Sequence, residues 1–113
     1  MSDIQHLHKE AMAIVHEAFT AQKAGDSERY LELTHAAYEQ EKAAAWLLFQ
    51  KLDAEPTRSV LFRSAAQLAF NCGKIREAEQ LIAAALAGNP PLEILAELRQ
   101  LNRKVLDAFE AAV

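Results

Sequence analysis

The sequence predicts an all-α domain, and three observations carry that expectation. Alanine, the strongest helix former and the best small spacer between close-packed helices, occurs 23 times in 113 residues. Gly and Pro together number only six and stand at the edges of apolar patterns. The apolar residues recur at three- and four-residue spacing through most of the chain, the period of helices with one buried face. A chain of this length is expected to form a single domain, residues 1–113, with a modest core.

Five helices follow from the pattern. The first is capped by Ser2 or Asp3 and runs to Ala24. Ile4, Leu7, Ala11, Ile14, Val15, Ala18, Ala21 and Gln22 share one face, and Met12 and Phe19 stand on its shoulder. Gly25 stops this helix and Asp26 caps the next.

The second helix extends from Ser27 to Asp53, with Tyr30, Leu33, Ala37, Ala44, Leu48 and Leu52 on one stripe. Glu41 interrupts that stripe, which predicts a change of packing partner there. Trp46 projects from nearly the opposite side, either into a dimer interface or under the 53–57 loop or the fifth helix, the intramolecular cover being preferred. Pro56 ends the segment, because the residue before proline disfavours the α conformation, and it suits the first position of a third helix.

The third helix, to Cys72, is expected to bury Leu61, Phe62, Ala65, Leu68, Ala69 and Cys72. Val60, Arg63, Ser64, Gln67, Phe70 and Asn71 lie on its other face. A turn at Gly73 leads into a fourth helix, 75–87, which is apolar around most of its circumference and so predicted to be sandwiched. Asn89-Pro90-Pro91 closes it. The fifth helix, 91–111, has an apolar stripe of Ile94, Leu95, Leu98, Leu101, Val105, Leu106 and Phe109 with a charged back, the form of a helix that caps a stack.

Composition also bears on function. A net charge of −4 argues against a nucleic-acid partner, since phosphate binding needs a basic face. Residues 1–55 carry five Lys/Arg against ten Asp/Glu, and residues 56–113 carry seven against six, so the acidity sits in the first half. The lone cysteine, Cys72, allows no internal disulfide and suits a reducing compartment. No apolar run approaches the roughly 20 residues that cross a bilayer, and MSDIQHLHKE lacks the layout of a secretory signal. A cytoplasmic, non-membrane protein is expected.

Nothing in the sequence points to an enzyme, a metal or another cofactor. His6, His8 and His16 point in three directions on the helix wheel, and His35 lies far from them in sequence, so solvated surface histidines are expected in place of a zinc site. The Glu39–Lys42 stretch reads as helix surface. Cys72 falls on an apolar stripe beside a helix C-terminus, where the dipole disfavours a thiolate, and so reads as a small core residue.

Residues 59–92 carry a pattern of spacing that is more specific. Phe62, Ala65, Ala66, Ala69, Ala78-x3-Ile82 and Pro90, with Gly73 at the turn and Ala85 beyond it, resemble a tetratricopeptide repeat. Ala66 and Ala78 permit the close helix crossing that such a repeat requires. Ile14, Ala18, Ala21 and Ala37 place a poorer match on the first hairpin, residues 2–53. Its turn glycine lies fourteen residues beyond one repeat period from Gly73, close to four helical turns that a lengthened second helix can absorb.

The resemblance implies a five-helix, right-handed array of two helical hairpins, with the repeat at 57–90 and a capping helix at 91–111. It also implies a non-enzymatic interaction module that holds a partner peptide or helix in a concave groove. The residues it points to are Met12, Phe19, Val60, Arg63, Gln67, Phe70 and Asn71, with Val15 and Lys23 alongside. Met12, Phe19 and Phe70 would bury partner side chains, with Arg63 and Gln67 orienting them. Equally, those three apolar residues pack against neighbouring helices. Val15 and Phe19 stand where a carboxylate clamp would need basic and amide groups, so that mode is not implied. The alternative function is a self-associating structural module, a homodimer.

Overall fold

The computed structural model describes residues 2–112. These fold into five α-helices: α1 (Asp3–Lys23), α2 (Ser27–Leu47), α3 (Thr57–Asn71), α4 (Ile75–Leu86) and α5 (Leu92–Ala111). No strand occurs among the described residues. The helices form a slab of 41 × 41 × 20 Å. Each packs on the next in the chain, and α3 also touches α5.

Local chemistry accounts for most helix ends. Ser2 and Gln5 form a reciprocal capping box at the start of α1. Asp26 accepts from the Arg29 amide at 3.0 Å and caps α2. Gly25 and Gly73 turn the chain at φ +78° and +85°, a region L side chains avoid. Pro56 precedes α3 without a side-chain cap. Glu55 takes that role, accepting from the Ser59 amide at 3.0 Å and from its hydroxyl at 2.7 Å.

The second helix is shorter than its pattern predicts. It ends at Leu47 instead of Asp53, and residues 48–56 form turns closed by bonds such as Lys51 N–H to the Leu48 carbonyl, 3.0 Å. The cause is tertiary. Arg58 of α3 donates from Nε to the Phe49 carbonyl at 3.0 Å, while Trp46, Phe49 and Phe62 pack ring against ring just beyond the helix end. The extra length of the first hairpin is therefore taken up partly by a looped connection, not by a continuous helix.

The core is built from small and medium side chains. Ala37, Ala44, Ala45, Ala65, Ala66, Ala69, Ala78 and Ala85 are fully buried around Phe62, Leu81, Ile82, Leu98 and Val105. Sandwiched α4 lies between α3 and α5. The first helix is held more lightly, burying only Ala11, Ala18 and Ala21 while Ile4, Leu7, Ile14 and Val15 stay half-buried.

Two charged residues lie inside this core. Glu41 is fully buried, not on the helix surface, and both its oxygens meet Nδ1 of His8, at 2.9 and 3.0 Å. His8, half-exposed, is therefore more than a surface histidine: it anchors α1 on α2. Arg58 is also fully buried. Besides Phe49, it reaches the carbonyls of Ala84 (2.9 Å) and Ala85 (3.4 Å), and it stacks near the rings of Phe49 and Phe62.

Candidate functional site

The candidate site is a cleft bounded by α1, α3 and α5. Its larger chamber, about 380 Å³, is lined by Met12 and Val15 of α1, Arg63, Ser64, Gln67, Leu68 and Asn71 of α3, and Glu97 and Leu101 of α5. A second chamber of about 170 Å³ continues it toward α2, lined by Ala18, Phe19, Gln22, Tyr30 and Thr34. Both chambers share Val15, Leu68 and Asn71, so they adjoin along α3.

The cleft exists because α1 packs closely on α2 alone. Its shoulder residues therefore face α3 across a gap. Helical periodicity does the rest: residues 60, 63, 64, 67 and 71 rise along the face of α3 opposite Phe62 and Ala69.

Five of the seven residues singled out by sequence meet here: Met12, Arg63, Gln67 and Asn71 in the large chamber, and Phe19 with Asn71 in the small one. The other two lie elsewhere. Val60 lines a separate hollow of about 260 Å³ between the starts of α1 and α3, with Ile4 and His8. Phe70 is half-buried and packs against the core, away from both chambers.

Four polar side chains of the cleft pair with one another. Arg63 donates from Nη1 to Glu97 at 3.0 Å, bridging α3 and α5. The Gln67 amide donates to Asn71 Oδ1 at 2.8 Å. Phe19 is half-exposed with the Lys23 ammonium 4.6 Å above its ring. The result is a groove with apolar ends at Met12, Leu101 and Phe19 and a polar, pre-paired middle. Glu97 was not foreseen, because the charged back of α5 reads as uniformly solvated; only its i, i+4 relation to Leu101 hints that it faces inward.

The remaining candidates for chemistry have structural partners too. Trp46 is partly covered, but by Phe62 of α3 and by Phe49, each 5.1 Å away, not by α5. Cys72 is half-buried, its thiol donating to the Ala69 carbonyl, and burial pushes its pKa up. Tyr38 donates to Glu77 at 2.6 Å and ties α2 to α4. Burial and then Glu77 push the Tyr38 hydroxyl well above the ordinary tyrosine range. That hydrogen bond in turn holds the Glu77 carboxyl below the usual carboxylate range, with Lys74 and Lys42 nearby adding to the effect.

No protein-family model matches this chain, and neither a curated protein nor a solved structure does so.

Proposed function

We propose that this chain is a non-enzymatic, cytoplasmic interaction module of tetratricopeptide-repeat-like build, a right-handed array that holds an extended peptide or a partner helix in the cleft of α1, α3 and α5. One observation carries the reading: the first helix of each hairpin and the closing helix together line one chamber, and a second chamber adjoins it along α3. The apolar ends suit side-chain anchors, and the paired amides and ion pair suit carbonyl and amide groups of a ligand between them. Met12 and Phe19 serve as the apolar contacts and Gln67 and Asn71 as the polar ones. Arg63 reaches a ligand only by sharing or releasing Glu97.

A peptide library displayed on phage, selected against the purified chain, tests this. Selected peptides are expected to lose binding to Met12→Asp and to Gln67→Ala. Peptides that bind these variants as well as the unaltered chain would remove the cleft from consideration.

A further inference from the structure

The end of α2 and the turns that follow it carry large apolar side chains that stay half-exposed. Trp46, Leu47 and Leu52 are 43, 51 and 48% exposed. Two shallow hollows meet there and share Leu47. One continues over Ala43 to Leu7 and Asp3 of α1, the other over Trp46 to Lys51. The surface is thus a strip with apolar side chains at its centre, Leu7, Leu47 and Trp46, a carboxylate on one flank, and Gln50 and an ammonium on the other. Neither Asp3 nor Lys51 forms an ion pair among the described residues. The strip is also firmly seated, since the Trp46 indole stands edge-on to buried Phe62 at 5.1 Å and 86°.

We propose that this strip is where two copies of the chain meet, about a two-fold axis near Leu47 that brings Lys51 of each copy to the partner's Asp3. An interface of this symmetry must be complementary to itself, because the same patch serves both sides. Opposite charges on opposite flanks of an apolar centre meet that requirement, and the single acid–base pair is then made twice. A membrane surface is a poorer occupant, since anionic lipid attracts clustered cations and the first 55 residues are net acidic. The strip shares no lining residue with the cleft, so this inference stands independently of the peptide-binding reading. A few half-exposed side chains per copy fall at the small end of interface sizes, which sets the expectation of a reversible dimer.

Sedimentation equilibrium on the full chain, from micromolar to millimolar concentration, provides the test. A monomer–dimer equilibrium is expected, with the emission of the sole tryptophan moving to the blue as dimer forms. Leu47→Glu should leave a folded monomer, with circular dichroism as the check on folding. Lys51→Glu and Asp3→Lys should each weaken the dimer roughly tenfold. Mixing those two variants, or combining them in one chain, should restore it, because every 3–51 pair then has opposite signs again. A chain that stays monomeric throughout overturns the proposal. So does a dimer indifferent to Leu47→Glu, or a charge exchange that restores nothing.

Discussion

Arg58 donates a 2.9 Å hydrogen bond from Nη2 to the carbonyl of Ala84, so a buried cation of α3 closes the C-terminal end of α4. The same guanidinium holds the Phe49 carbonyl just past the end of α2. No carboxylate pairs with it among the described residues; its charge is balanced by carbonyls at two helix ends, where the backbone dipoles concentrate negative potential. Three segments distant in sequence are thereby fixed by one side chain.

Arg58→Met should therefore destabilise the fold by about 3 kcal/mol, because the apolar side chain fills the space but leaves buried carbonyls unpaired. Urea denaturation gives the number. Arg58→Lys should recover little, since one ammonium cannot span the fork of contacts that a planar guanidinium makes.

Gly88→Ala belongs to the same locus. A Cβ at Gly88 would lie 2.3 Å from Arg58 Nη1, so the guanidinium must shift off the Ala85 carbonyl. A cost of about 1–2 kcal/mol is expected in the unaltered chain. In the Arg58→Met background most of that cost should vanish, and a double-mutant cycle in urea reads the coupling. Additive costs would separate Gly88 from Arg58.

Removing His8 should have a larger effect than its half-exposed position suggests. His8→Ala strips Glu41 of its only side-chain partner among the described residues and leaves a buried carboxylate, at an expected cost of about 2–4 kcal/mol. Glu41→Met added to His8→Ala should recover most of it, because the uncompensated charge is then gone. Thermal unfolding of the single and double variants decides this.

The Tyr38–Glu77 bond predicts a pH dependence on both sides of neutrality. The Glu77 carboxyl is held below its ordinary value, so its contribution is full above the usual carboxylate range and is lost as pH falls through that lowered value. The Tyr38 hydroxyl is raised, so its contribution is full below the usual tyrosine range near pH 10 and declines as alkaline pH rises beyond it. Tyr38→Phe should cost about 1 kcal/mol at neutral pH. The gap between the two proteins should narrow at both extremes, as measured by urea midpoints across pH.

Sequence reasoning reached the helices whose ends are set locally. Ser2, Gly25, Asp26 and Gly73 each act within a turn of their own position, so α1, α3, α4 and α5 lie within a residue or two of the periodic reading. The end of α2 is set by Arg58, nine residues beyond Phe49 and held in place by a helix 26 residues further on, which no local pattern carries. Glu41 was visible as a charge on an apolar stripe, whereas Arg58 was not singled out. Their partners were not visible, because His8 and Ala84 are neighbours only in the folded chain. The cleft was more legible, since spacing alone aligns Arg63, Gln67 and Asn71 on one face of α3, whereas Val60 on that face lies too near the start of α3 to reach it and Phe70 packs on the core.

The Arg63–Glu97 pair separates stability from binding. Both side chains are substantially exposed, so screening by water and salt leaves the pair worth under about 1 kcal/mol to folding. Arg63→Ala should accordingly shift the urea midpoint little, and still less at high salt. Its effect on a cleft ligand should be of another kind. The pair bridges α3 and α5 over the large chamber and lines it from both sides. Without it, a peptide that uses Arg63 loses a donor and faces the unpaired Glu97 carboxylate, so peptides carrying an acidic group should bind several-fold more weakly. Peptides with a basic group in the same place should gain. Fluorescence-polarisation titrations of an acidic and a basic version of one selected peptide show the difference. Equal changes for both would mean that the ion pair serves only to hold α5 against α3.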